Sequence, residues 1–176
     1  MKRILLLVFL IFALTSCQNT APRRPINKSK TSFLTSSAQR NKMLLAREED
    51  MLKKAVLADS FFDFNRSETG YFFAYKKQAN LKLPLPQKGE LVHFEYQVAT
   101  LDNRLLYDRA EMGKNSYAID QEDLLPALRE GLRIMREGDV VVFLFPSYLC
   151  FGYQGDGHKI EINQPLRFTI WRLSNP

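Results

Sequence analysis

The sequence predicts an α+β domain, and three stretches carry that expectation. From Leu91 to Val98, the apolar residues Val92, Phe94, Tyr96 and Val98 alternate with His93, Glu95 and Gln97, the period of a strand with one buried face. From Leu124 to Met135, the apolar residues Leu125, Leu128, Leu132 and Met135 recur at helical spacing. Pro126 falls there in a first-turn position, where its missing N–H has no partner to lose. Val140 to Phe145 is apolar throughout and rich in β-branched and aromatic residues, as a central strand would be. One helix among many antiparallel strands is an α+β arrangement.

Taken from the amino terminus, the first element is an address. Met1-Lys2-Arg3 precedes an apolar run from Ile4 to Leu14 and then Thr15-Ser16-Cys17, the layout of a signal peptide over residues 1–16. As a helix that run spans about 16 Å, roughly half the ~30 Å hydrocarbon core, so it is too short for a durable membrane span. Leu14-Thr15-Ser16-Cys17 resembles the lipobox of bacterial lipoproteins, which makes Cys17 the expected site of lipid attachment and the membrane an expected partner through that lipid.

Residues 17–40 are rich in Ser, Thr, Asn, Gln and Pro, with isolated apolar residues, and read as a disordered tether that cannot bury enough surface to offset its ordering entropy. Arg23, Arg24, Lys28, Lys30, Arg40 and Lys42 meet no acidic residue between Cys17 and Lys42. They either lie against anionic headgroups or keep the tether soluble. This placement changes the meaning of the net charge of +6. From residue 43 onward there are 17 Lys and Arg against 19 Asp and Glu, so the folded part is near neutral and nucleic acid is excluded as a partner.

From Asn41 to about Ala58, Met43, Leu44, Met51, Leu52, Ala55 and Val56 form an apolar stripe among Glu48, Glu49, Asp50, Lys53 and Lys54. This helix either packs on the domain that follows or pairs with its copy in a homodimer. Residues 41–68 thus supply a helix and a connecting strand. An aromatic strand from Tyr71 to Tyr75 follows a polar turn around Asn65 to Gly70, and Asp102-Asn103 turns the Leu91–Val98 strand back through Arg104 to Tyr107. A short strand is expected around Ser116 to Ile119, and a last one from Leu166 to Leu173, after a loop holding Gly152, Gly155 and Gly157.

Familiar catalytic arrangements are absent. With Cys17 lipidated, Cys150 is alone, so neither an internal disulfide nor a cysteine-rich zinc site is available. His93 on an outer strand face and His158 in the glycine loop are expected to be structural or solvent-exposed. Gly152, Gly155 and Gly157 follow a strand but lead into no helix, unlike a phosphate-binding loop. The 21 aromatic residues stand out instead.

Four ordered segments resemble the FKBP-type peptidyl-prolyl isomerases. Gly89-Glu90-Leu91-Val92-His93-Phe94-Glu95-Tyr96 with Tyr107-Asp108 is similar to their G-x-x-V-x-x-x-Y…F-D segment, with one extra residue between Tyr96 and Asp108. Leu124 to Gly138 is similar to their V-I-x-G-W/L-x-x-G-x-x-x-M-x-x-G helix, Phe145 to Gly152 to P-x-x-L-A-Y-G, and Pro165 to Phe168 to T-L-x-F. Order and spacing agree over about residues 69–174, which the resemblance makes an isomerase domain (69–176) with an antiparallel sheet wrapped around a short helix. The lipobox, tether, preceding helix and domain together resemble the gliding-motility-associated lipoproteins of that family.

The resemblance implies a site as well as a fold. Tyr96, Tyr107, Leu124, Leu125, Leu128, Phe151 and Phe168 would line a proline pocket, Asp108 would sit at its polar edge, and Ile160 would lie in a flap over it. The Leu125 N–H would hold a substrate carbonyl. It implies proline-containing protein substrates and no cofactor or metal. Phe151 stands where the family usually has a tyrosine, Asn115 near a position usually aromatic, Leu128 for a common tryptophan and Ala127 for a glycine, and the Ile160 flap lacks the usual prolines. These departures point to slower or narrower turnover, and a non-catalytic or weakly catalytic protein-binding module or assembly component using the same pocket is the second reading. Gln18 after the lipid cysteine points to the periplasmic side of the outer membrane.

Overall fold

The computed structural model describes residues 30–174; the expected signal peptide, Cys17 and the tether up to Ser29 lie outside them. Two compact units divide between Ala38 and Gln39, and every strand belongs to the second. Helix α1, Lys30–Ala58, crosses that division and starts earlier than the Asn41 expected. Between Pro25 and Gly70 the sequence has neither Pro nor Gly. A helix nucleated further along therefore meets no breaker as it extends backwards, and extension is far easier than nucleation.

Within the second unit α1 packs on the sheet. Leu52 is buried, and Ala55 and Val56 join it against Phe64, Phe72, Leu101 and Leu144. Met43 and Met51, assigned to the apolar stripe, are exposed, whereas Glu48, assigned to the polar flank, is buried. The buried face is the series 48, 52, 55, 56, and Glu48 can stand in it because donors from Ser147 meet its carboxylate.

The sheet contains β1 (Asn65–Arg66), β2 (Phe72–Lys77), β3 (Leu91–Ala99), β4 (Leu105–Tyr107), β5 (Asn115–Ala118), β6 (Val140–Phe145) and β7 (Leu166–Arg172). Its order is β1-β2-β6-β7-β3-β4, with β5 also on β3, and all pairings are antiparallel. The apolar run β6 lies between β2 and β7, as its composition predicts. Part of the expected Asn65–Gly70 turn is the short strand β1, which pairs with Phe72 and Phe73 across a tight reversal.

Helix α3, Pro126–Arg133, crosses one face of the sheet and buries Ala127, Leu128 and Leu132 against Phe143, Phe145, Phe168 and Ile170. Gly131 permits the approach: a Cβ there would lie 3.0 Å from Ile170 Cδ1 and 3.2 Å from the Phe143 ring. A further short helix, α2 (Arg109–Met112), follows β4 because Asp108 caps it: its Oδ1 accepts the Glu111 N–H at 2.7 Å. The turn Ser147–Leu149 is a 3₁₀ helix.

Candidate active site

The seven residues assigned to a pocket come from five separate stretches of chain, and the fold gathers Tyr96, Tyr107, Leu124, Leu125, Leu128, Phe151 and Phe168 into one apolar cluster with Ile160 of the expected flap. Phe168 on β7 and Leu128 on α3 are buried and form its floor. Tyr96 on β3 stacks on Phe168 with centroids 6.0 Å apart and planes at 18°, and Phe145 meets Phe168 edge-on at 5.7 Å. Tyr96, Tyr107, Leu124, Leu125 and Phe151 are only half-buried, so they present apolar surface outward. Burial raises the pKa of the Tyr96 hydroxyl, which therefore stays protonated and neutral.

Leu125 is the residue before α3, and its carbonyl accepts the N–H groups of Leu128 (2.9 Å) and Arg129 (3.1 Å). Among the described residues none accepts the Leu125 N–H itself. The first N–H groups of a helix point away from it at its positive end, so this donor suits an incoming carbonyl. Asp108 is exposed, and one of its oxygens is engaged in capping α2.

Asp156 was not legible as a site residue. Its Oδ2 accepts the Tyr107 hydroxyl, while Oδ1 accepts the N–H groups of His158 and Ile160, each at 2.8 Å. The Lys159 ammonium sits 4.4 Å over the Tyr107 ring and pairs with Glu111 at 3.0 Å. The flap is thus tied to the end of β4. Burial pushes the Asp156 carboxyl up, but the Tyr107 hydroxyl, the two N–H groups and nearby His158 outweigh it and hold the pKa down at about 2. The bond to Asp156 in turn raises the pKa of Tyr107. Gly155 is obligatory beside it: at φ +65° a Cβ would meet the Ile160 carbonyl oxygen at 2.5 Å. The only sequence signal was an aspartate between two glycines.

Asn115 turns away from a wall role. Its amide donates to the Met112 and Gly113 carbonyls at 3.2 and 3.1 Å, which fixes the turn between α2 and β5. His93 bonds Ser116 Oγ through Nδ1 at 2.8 Å, and His158 is exposed. Cys150 is buried with its thiol pKa pushed up by burial and secondarily by Glu48, so it is a poor nucleophile. A groove of about 590 Å³ runs between α1 and the β3–β4 turn past Ala55, Leu101 and Pro165, but none of the assigned pocket residues lines it.

The structure thus brings together a buried Phe168 and Leu128, half-buried aromatic and leucine side chains around them, an N–H without an acceptor at a helix start, and the Ile160 loop tied to Tyr107. Residues 84–171, half of the chain, match the FKBP-type peptidyl-prolyl cis-trans isomerase family. The chain belongs to that family. A probable FKBP-type isomerase, FkpA, of Neisseria meningitidis serogroup B is 28% identical over 85 residues, covering 48% of this chain and 31% of that protein. The chain thus matches under a third of that relative's length. Among solved structures, FkpA from Escherichia coli superposes with a TM-score of 0.59 at 17% identity, covering 98% of this chain and 81% of that one. A peptidyl-prolyl isomerase from Pseudomonas syringae pv. tomato gives 0.59 at 17% identity over 76% of this chain and 93% of that one. At these identities the solved structures bear on the FKBP fold alone, and the fold expected from the sequence is the one observed.

Proposed function

We propose that this chain is a lipid-anchored peptidyl-prolyl cis-trans isomerase that assists the folding of envelope proteins. The observation that carries the reading is the gathering of seven assigned pocket residues and the flap residue Ile160 in one cluster, with the Leu125 N–H open, in a chain of this family. An X–Pro bond turns over unaided in tens to hundreds of seconds, across an amide barrier of about 18–20 kcal/mol. Twisting the amide removes its resonance and part of its charge separation. A water-poor aromatic pocket therefore favours the twisted state over the planar one, without a nucleophile. In this reading Phe168, Tyr96 and Leu128 hold the proline ring, the Leu125 N–H fixes a flanking carbonyl, Ile160 closes the flap, and Asp108 offers its second oxygen at the rim.

Cys17 as the lipid attachment, a place on the periplasmic side of the outer membrane and a part in gliding motility belong to the same proposal. They rest on the lipobox-like Leu14-Thr15-Ser16-Cys17, the basic residues that follow it, and the resemblance of the whole arrangement to gliding-motility lipoproteins of the family. Phe151 favours a second reading. A phenylalanine in place of the usual tyrosine lacks one hydrogen bond of about 0.5–1.5 kcal/mol to a bound chain, which suits a binding module with weak turnover.

The deciding experiment measures cis/trans exchange on a short X-Pro peptide, with and without an FKBP-type macrolide inhibitor. Inhibitable acceleration is expected, and it should fall when Phe168 or Asp108 is replaced by Ala. A folded protein that gives no acceleration overturns the isomerase reading in favour of the binding module.

A further inference from the structure

The family match begins at residue 84, so α1 lies outside the matched residues. That helix nonetheless reaches the loop that carries one of the assigned pocket residues, Phe151. Phe151 is a half-buried wall, and a cavity of about 440 Å³ adjoins it, shared with Leu44, Leu45 and Glu48 of α1. The core cluster packs one side of that ring and the cavity leaves the other open, so the ring's place also depends on the backbone that carries it.

That backbone is held from its far side by the Asn163 N–H on the Gly152 carbonyl at 2.6 Å, and from α1 by Glu48. Glu48, 2% exposed, accepts the Ser147 N–H through Oε2 at 2.8 Å and the Ser147 hydroxyl through Oε1 at 2.6 Å. The Ser147 carbonyl then accepts the N–H groups of Cys150 and Gly152, both at 2.9 Å. Those two residues flank Phe151. A buried carboxylate requires such donors, and bonds to a charged acceptor are the stronger kind, so the link is both obligatory and stiff.

We propose that Glu48 is a positioning residue for the Phe151 wall, which makes the N-terminal helix a working part of the isomerase. The inference rests on the isomerase reading for its consequence in turnover, but not for the link itself. A displaced wall weakens the pocket's hold on planar and twisted amides alike, so the effect belongs in KM.

The test uses the full chain in detergent, compared below its unfolding transition as wild type, Glu48→Ala, Glu48→Gln and Leu52→Ala. Prolyl exchange kinetics and amide hydrogen exchange at Ser147, Cys150 and Gly152 are read together. Glu48→Ala should raise KM on the order of tenfold with kcat little changed, and should speed exchange at all three amides. Glu48→Gln keeps an acceptor for the N–H and a partner for the hydroxyl, and should restore both readouts. Leu52→Ala loosens the same helix without touching Ser147 and should lower the unfolding temperature while leaving KM in place. Wild-type KM and amide protection in Glu48→Ala overturn the proposal, and so does a KM rise in Leu52→Ala equal to that in Glu48→Ala. If the wild type itself gives no acceleration, the isomerase reading fails; the amide exchange rates alone then support or overturn Glu48's hold on the loop.

Discussion

The two faces of the sheet are built on different principles. On the face under α3, Phe143, Phe145, Phe168 and Ile170 meet Leu128, Leu132 and Met135, all at 2% exposure or less, and ring contacts both stacked (Phe143 on Phe145 at 5.1 Å and 10°) and edge-on (Phe145 on Phe168) knit them together. On the face under α1, the buried apolar group is smaller, Leu52, Phe72 and Leu144 edged by the half-buried Ala55, Val56, Phe64 and Leu101, and charged residues add directional contacts to it. Arg167 pairs with Asp59 at 2.6 Å with both nearly buried, and Glu48 holds Ser147. The first face is redundant: each ring has several neighbours, and no single contact sets its geometry. The second is specific, because a few directional bonds set where the helix lies. A folding core tolerates redundancy, whereas an attached element that must meet a loop at one point needs direction.

Four experiments bear on that contrast, the largest effect first. Phe143→Ala should cost about 3–5 kcal/mol in denaturant unfolding, since it removes a fully buried ring whose neighbours cannot close the gap. Asp59→Ala should cost about 3 kcal/mol by leaving the Arg167 guanidinium buried and unpaired, its Nε already lacking a partner. Replacing both, as Asp59→Leu with Arg167→Met, should recover most of that loss. If the single and double variants unfold alike, the pair is not what fixes this face.

The third experiment concerns the flap. Asp156 has its folded pKa depressed from 3.8 to about 2. A group of this sign stabilises the fold fully above its unfolded value and loses that contribution as pH falls through the folded one. The His158 and Ile160 amide resonances should therefore hold steady down to about pH 3 and move with a midpoint near 2. Asp156→Asn should abolish that titration, and a midpoint near 4 in the wild type would mean that the tie is not formed in solution. The smallest effect is expected from Lys54→Ala, which removes an exposed pair with Asp50 at 2.8 Å and should leave the unfolding midpoint unchanged within error.

The two faces also divide what was legible in the sequence. Alternation in β3, the apolar run of β6 and the 3.6-residue spacing of α3 are local records of burial on both sides of a shared core, so the architecture followed from them. The pocket residues followed from ordered motifs, which encode side chains that converge because consecutive elements are short and antiparallel. Glu48 and Asp156 left no such record. A carboxylate in a polar stretch looks solvated unless its donors are known, and those donors sit 99 positions away for Glu48 and, for the Tyr107 hydroxyl, 49 positions away from Asp156. The early start of α1 was hidden for a different reason: residues 30–40 carry a loop-like composition, yet nothing in them stops a helix already formed downstream.

Cys150 turns the clamp around Phe151 into something that can be timed. It is the one free cysteine among the described residues, it is 8% exposed, and its N–H is held by the Ser147 carbonyl. With its thiol kept protonated by burial, it reacts with an alkylating reagent only when the loop opens. Its labelling rate in the native protein is therefore a built-in clock for opening of the pocket wall, readable without any introduced probe. A proline peptide that fills the pocket should slow that clock.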